Sequence, residues 1–163
     1  MKGDPSGGST VHLDAPLAHI PVLIRSGAAL LLHSQPGYTT RASATAPYAL
    51  LVTLGSEGHA YGTAVVDDGE TLGPDDEDSS QSRTLTFEAS DKLLEIGGQG
   101  AFRVVQTLGV ITVLGVNKAP RWVRLDGANV PSRKWVYDSA VQRLVVSGLS
   151  VDLNGRSTVT WGR

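Results

Sequence analysis

Hydrophobic and polar residues alternate along most of this 163-residue chain in short runs, with the period of a β-strand rather than that of a helix. Turn-forming Gly, Asn and Asp residues separate the runs. No window of a dozen residues carries apolar side chains at helical spacing. Runs rich in Val, Leu, Ile, Thr and aromatic residues predict strands at residues 21–24, 50–54, 64–66, 84–87, 93–96, 102–105, 110–114, 122–125, 134–137, 143–146 and 157–161. The pattern therefore predicts an all-β fold, an antiparallel β-sandwich made of two small packed sheet domains.

A polar stretch near the middle of the chain divides these runs into two sets. The sequence GPDDED at 73–78 excludes a strand there, because Pro and a run of acidic residues break a sheet ladder. The whole polar stretch, residues 67–83, holds seven carboxylates, those of Asp67, Asp68, Glu70, Asp75, Asp76, Glu77 and Asp78. We therefore predict a flexible N-terminal linker (1–14), a proximal-type β-domain (15–72), an acidic linker loop (73–82) and a distal β-sandwich domain (83–163).

Charge and composition exclude several classes of function. The formal net charge is −2, and Lys and Arg are scattered, so the chain has no basic patch with which to hold nucleic acid or an anionic membrane. There are no cysteines, which excludes disulfides and thiolate metal sites. No apolar run approaches the roughly 20 residues that a membrane span requires. We expect a chain without nucleic-acid or membrane partners and without a cofactor.

Two separated strings are the most specific motifs in the chain: APLAHIPVLIRSG at 15–27 and VVDDGE at 65–70, with the strand-like run YALLVTL at 48–54 between them. Together with residues 57–63 they resemble the β-rich region that follows the catalytic barrel in retaining α-glucosidases of glycoside hydrolase family 31. The second half of the chain matches that family only in its general β-pattern, over 110–120 and 123–127. The sequence departs from the family pattern at Ser26, where the family usually has Gly, and the Pro that often follows this motif is replaced within 30–33.

The resemblance implies an accessory role without chemistry of its own. The family's catalytic aspartates lie on a (β/α)8 barrel upstream of this region, and a chain of 163 residues cannot hold such a barrel, which needs about 250. By resemblance, the full enzyme would hydrolyse terminal α-linked glucose, and the partner of this chain would be the barrel, in cis or as a separate chain. An α-glucan or oligosaccharide is a second partner, and relatives are commonly secreted, vacuolar or lysosomal.

The family motifs also imply structural roles for particular residues. Arg25 and Gly27 would lie at the seam between the barrel and the proximal domain, where a guanidinium can bind several oxygens at once. Asp67 and Asp68 invite a catalytic pair, but before Gly69 they favour a tight turn in which Asp68 accepts backbone N–H bonds. Calcium binding by Asp75 to Asp78 is an alternative for the acidic loop. The four histidines show no metal-ligand spacing.

Aromatic residues of the distal half support a second hypothesis, an independent carbohydrate-binding or lectin-like β-sandwich module. Sugars stack on flat aromatic rings, and the candidate contacts are Trp122, Trp135 and Tyr137, with a cation–π neighbour expected for Trp122. Burial in the core is the competing interpretation of such residues on strands. An enzyme tail would instead need an apolar docking face, for which residues 23 and 28–32 are the candidates.

Overall fold

The computed structural model describes residues 10, 12–35, 37–43, 45–69 and 81–163. Within these residues it has one four-residue helix, α1 (Thr40–Ser43), a 3₁₀ turn (Ser132–Lys134) and one sheet of twelve strands. The strands are β1 (Ala28–His33), β2 (Tyr48–Thr53), β3 (Ala60–Asp67), β4 (Ser82–Ser90), β5 (Leu93–Gln99), β6 (Thr107–Leu114), β7 (Trp122–Leu125), β8 (Ala128–Asn129), β9 (Trp135–Asp138), β10 (Arg143–Val146), β11 (Val151–Asp152) and β12 (Ser157–Gly162).

The sheet has mixed topology. Its strand order is β8-β7-β12-β5-β4-β3-β1-β2-β6-β10-β9, and β11 pairs separately with β6. Two of the pairs are parallel, β1 with β3 and β2 with β6. All the other pairs of the described strands are antiparallel. The prediction of an all-β fold is confirmed, but the prediction that pairing is antiparallel throughout is wrong at these two pairs.

Strand alternation builds a single hydrophobic core on one side of the sheet. In β2 the side chains of Leu50 and Val52 are buried, and in β4 those of Leu85 and Phe87 are buried. Strands from both ends of the order contribute to the same cluster, with Val123 of β7 at one end and Leu144 and Val146 of β10 at the other. The sheet therefore curls around its own core.

Two predicted strands are not strands in the structure. Residues 21–24 form no ladder, and the strand of this region is β1, which begins four residues later. Residues 102–105 also lie outside the sheet, because a side chain holds the backbone there: Asn154 Oδ1 accepts the N–H of Val104 at 2.9 Å and Asn154 Nδ2 donates to Val104 O at 2.8 Å. The short strands β8 and β11 were not predicted.

Strands of both predicted domains are hydrogen-bonded to one another. β2 pairs with β6 over six registered positions, and β3 pairs with β4 from Ala60↔Ala89 to Asp67↔Ser82. The division into a proximal-type and a distal domain stays a prediction. The acidic linker loop lies largely outside the described residues, as does most of the predicted N-terminal linker.

Candidate functional site

Residues 12–24 form an apolar segment that precedes the sheet and contributes no strand to it. Its one turn is closed by His19 N–H, which donates to Pro16 O at 2.8 Å. Leu17 is fully exposed, and Ile20, Val22 and Leu23 are 88%, 85% and 76% exposed. Single exposed hydrophobic residues are ordinary on protein surfaces, but four of them within seven residues form a contiguous apolar patch. Such a patch is typical of an interaction site.

A buried threonine fixes the end of the apolar segment to the sheet. Thr53 Oγ1 lies 2.7 Å from Arg25 O and accepts the N–H of Ala28 at 3.1 Å. Gly27 completes the connection, because its N–H donates to Thr53 O and its carbonyl accepts the N–H of Tyr61. Its φ of 79° lies in the left-handed region that favours glycine. The backbone of Arg25 and Gly27 is therefore held rigidly, while the Arg25 side chain is exposed.

The side of the sheet that faces away from the core is also apolar beside this connection. Leu30 and Leu32 of β1 and Tyr61 and Val65 of the neighbouring β3 are exposed there; we call these four residues the outer sheet face. The candidate docking face at 28–32 is thus only partly correct. Because side chains alternate along a strand, Ala29 is buried and Leu31 packs against the core.

The turn that ends β3 uses the first of the paired aspartates. Asp67 Oδ1 accepts the N–H of Gly69 at 3.0 Å, and the φ of Gly69 is 68°. The sequence predicts Asp68 as the acceptor in this turn, because the Asp-Asp-Gly pattern does not distinguish the carboxylates of two adjacent aspartates. The structural role of Arg25, Gly27, Asp67, Asp68 and Gly69 at an interface between domains stays a prediction. The candidate calcium ligands at 75–78 lie outside the described residues.

Trp122 on β7 has the cation–π neighbour that the sequence predicts. The guanidinium carbon of Arg124 lies 4.8 Å from the ring centroid, and Trp122 Nε1 donates to Arg163 O at 3.2 Å. The ring also lies against Gly162, where an added Cβ would approach the ring carbons to 2.5 Å. A sugar that stacked on the ring face occupied by Arg124 would have to displace this guanidinium.

Trp135 and Tyr137 lie on β9, at the other end of the strand order from Trp122. Both pack against the buried core. The Tyr137 hydroxyl donates to Val116 O at 2.7 Å, so its polar end already has a protein partner. Carbohydrate binding by Trp122, Trp135 and Tyr137 stays a prediction, and the structure adds that these residues do not belong to one strand pair.

Sequence reasoning missed a group of residues at one edge of the sheet. β1 ends at His33, β2 begins at Tyr48 and β3 ends at Asp67, and the rings of His33 and Tyr48 lie 5.4 Å apart at 36°. Burial, and to a smaller extent the negative charge of Asp67, raises the pKa of Tyr48. No motif marks these residues, which only the pairing of β1 with β2 and β3 brings together.

The described residues contain neither a cluster of metal ligands nor a membrane-spanning helix. In that part of the chain, no three His, Asp or Glu side chains are placed to hold one metal ion. None of its helices has the length and apolar character needed to cross a membrane.

Comparison with known proteins accounts for the two motifs of the first half. No protein-family model matches the chain. It is 39% identical over 146 residues to an α-glucosidase of Aspergillus niger and 35% identical over 141 residues to an uncharacterised family 31 glucosidase of Schizosaccharomyces pombe. These matches cover 90% and 85% of the chain. The chain belongs to glycoside hydrolase family 31. It spans only 14% of the Aspergillus protein and 13% of the other, so it corresponds to a short part of a family 31 α-glucosidase.

A solved structure supports the fold of this family 31 region. The α subunit of glucosidase II aligns with 92% of the chain and with 18% of its own length, with a TM-score of 0.72 at 24% sequence identity. The family relationship agrees with the sequence resemblance at residues 15–27 and 65–70.

Proposed function

We propose that this chain is a non-catalytic accessory region of an α-glucosidase-like glycoside hydrolase that packs on the catalytic (β/α)8 barrel and stabilises it. The full enzyme would hydrolyse terminal α-linked glucose. The observation that carries this proposal is the apolar segment, whose exposed Leu17, Ile20, Val22 and Leu23 have no partner in the curled sheet. Burying each such side chain contributes about 1.5–3 kcal/mol, so together they would hold a domain interface firmly.

The connection to the sheet supports the proposal, because a docking element must be rigidly attached to transmit stability. The Thr53 hydroxyl donates to Arg25 O, and the N–H of Gly27 donates to Thr53 O, so both residues attach the segment to the sheet. The outer sheet face adds exposed apolar side chains on β1, the strand that follows the segment, and on the neighbouring β3. The only adjacent carboxylate pair on the described strands and turns, Asp67 and Asp68, forms part of a turn, which supports a role without chemistry.

Dye binding and light scattering on the isolated chain test this proposal. We expect the chain to bind ANS and to self-associate with rising concentration, because the apolar segment lacks its barrel. A variant with Leu17→Ser, Ile20→Ser and Leu23→Ser should lose most of both signals at an unchanged unfolding midpoint, since these side chains are exposed. A control with Val136→Ser and Val141→Ser removes exposed apolar side chains elsewhere and should leave both signals in place. A monomeric, dye-negative chain would contradict the proposal.

The alternative is an independent carbohydrate-binding or lectin-like module that uses Trp122, Trp135 and Tyr137. The partial exposure of Trp122 on β7 favours it, while the Arg124 guanidinium over the ring and the packing of the two β9 aromatics against the core favour a structural role. An NMR titration with maltotriose distinguishes the two, because only the module predicts saturable shifts of the Trp122 and Trp135 indole N–H resonances.

A further inference from the structure

An open cleft lies at the edge of the sheet where β1 and β3 end and β2 begins. Two adjoining hollows of about 380 and 680 Å³ share His33, Tyr48, Val66 and Asp67 as common walls. Their size falls in the range of small-ligand sites. The larger hollow is also lined by Tyr38, a fully exposed aromatic residue. We call this feature the edge cleft.

The polar groups of the edge cleft are held in place by the fold. Asp67 Oδ1 accepts the N–H of Gly69, which fixes the carboxylate and directs its second oxygen away from that bond. Tyr48 is buried except for 9% of its surface and is registered opposite His33 in the β1–β2 ladder. The Tyr48 hydroxyl can both donate and accept hydrogen bonds, and burial, followed by the negative charge of Asp67, raises its pKa.

The charge of the lining defines the chemistry of a ligand. None of the described residues that line either hollow is Lys or Arg, whereas Asp67 and Asp68 supply negative charge. An anionic ligand would be repelled, and a neutral polyhydroxylated one would not. Sugar hydroxyls donate to carboxylates and accept from phenols, and an exposed ring such as that of Tyr38 can stack on the C–H face of a pyranose.

We propose that the edge cleft binds a neutral oligosaccharide, with Asp67 and Tyr48 as hydrogen-bonding groups and Tyr38 as the stacking ring. The lining of this site includes neither the apolar segment nor Trp122, but it shares Leu32 and Val65 with the outer sheet face.

A ¹H–¹⁵N NMR titration of the full 163-residue chain tests the proposal. With maltotriose we expect saturable shifts at the backbone amides of Tyr38, Asp67 and Gly69. Trigalacturonate, an anionic trisaccharide of the same length, should bind at least about tenfold more weakly because it meets the aspartates. Flat spectra with maltotriose, or shifts confined to the indoles of Trp122 and Trp135, would overturn the proposal. Shifts at Asp67 with calcium chloride and none with maltotriose would also overturn it.

Conservative variants separate binding from folding. Asp67→Asn keeps an acceptor for Gly69 N–H and removes the charge, and we expect it to weaken maltotriose binding about tenfold. Tyr48→Phe removes only the hydroxyl and should weaken binding about threefold to tenfold. Tyr38→Ala should reduce binding, whereas the matched control Tyr61→Ala removes an exposed tyrosine of the outer sheet face and should leave it unchanged. Equal binding by the wild type, Asp67→Asn and Tyr48→Phe, with native backbone spectra, would contradict the assignment.

Discussion

Thr53 is the residue on which the attachment of the apolar segment depends most. It is 6% exposed. Its hydroxyl lies within donating distance of Arg25 O at 2.7 Å and Ala28 O at 3.0 Å, and it accepts the N–H of Ala28 at 3.1 Å. We predict that Thr53→Val, which keeps the shape and removes the hydroxyl, destabilises the chain by about 1–3 kcal/mol because these backbone groups lose their partner. Urea unfolding measures the loss. Thr53→Ser keeps the hydroxyl and should lose less, so equal losses in both variants would disprove the role of the hydroxyl.

Gly62 marks the close approach of two strands. A Cβ at this position would overlap Ala29 O and lie 2.7 Å from the Ala29 carbonyl carbon, both of them backbone atoms of β1 that cannot turn aside. We predict that Gly62→Ala forces β1 away from β3 and costs about 3 kcal/mol or more of unfolding free energy. Gly155→Ala is the matched control, because nothing lies within 4 Å of its Cβ position, and it should change stability by less than about 0.5 kcal/mol. An unchanged unfolding free energy in Gly62→Ala would contradict the close approach of β1 and β3 at this position.

At the residue scale, the sequence predicted which local structures form, but it did not always predict which residue forms them. The Asp-Asp-Gly string indicates a turn because Asp accepts nearby backbone N–H bonds and Gly adopts a positive φ. Both aspartates satisfy that rule, and in the structure Asp67 Oδ1 accepts the N–H of Gly69. The cation–π contact of Trp122 with Arg124 was predictable because residues two apart share one face of a strand.

At the scale of elements, the segment at 101–106 shows how a side chain can replace a sheet ladder. Its apolar run predicted a strand, yet Asn154 binds both backbone groups of Val104, and Arg83 Nε donates to Phe102 O at 2.8 Å. The alternation of apolar residues predicts which side chains are buried, and Val104 is indeed buried. It does not predict which group binds the backbone. The hydrogen-bond partner comes from a residue 50 positions away, which no local pattern can reveal.

This contact gives a prediction for one element. Asn154→Ala removes both hydrogen bonds to the buried Val104 backbone and should cost about 1–3 kcal/mol of unfolding free energy. Amide hydrogen exchange of Val104 should become faster than that of neighbouring strand amides. Asn129→Ala is the control, since Asn129 is exposed and accepts only from Arg124 Nε at 3.0 Å, and it should have little effect. Unchanged exchange at Val104 in Asn154→Ala would contradict the assignment.

At the scale of the whole molecule, the pattern of apolar and polar residues did not predict the order of the strands in the sheet. Local alternation and turns predicted most strands, but short connections account for only three antiparallel pairs of the described strands, β4–β5, β7–β8 and β9–β10. The parallel pairs β1–β3 and β2–β6 bring together residues that are distant in the sequence, and β2–β6 joins the two predicted domains in one curled sheet. The edge cleft depends on the pairing of β1 with both β2 and β3, which no motif in the sequence indicates.

The exposed apolar segment belongs to the scale of the whole molecule, because the barrel on which we propose that it packs is not part of this chain. The chain corresponds to 14% of the Aspergillus niger α-glucosidase, and four apolar side chains within residues 17–23 face solvent in the chain alone. If a barrel covers them, their replacement should weaken the assembled enzyme more than it weakens the isolated chain.

The most direct test is the thermal midpoint of α-glucosidase activity in a chimera. The chimera carries this chain in place of the matching region of the Aspergillus niger α-glucosidase, with and without Leu17→Ser, Ile20→Ser and Leu23→Ser. We predict an active chimera whose midpoint falls by several degrees with the three serines, because each lost contact removes about 1.5–3 kcal/mol of burial. The Val136→Ser and Val141→Ser control should keep its midpoint. Equal midpoints for the serine variant and the unsubstituted chimera would contradict the docking role of the apolar segment.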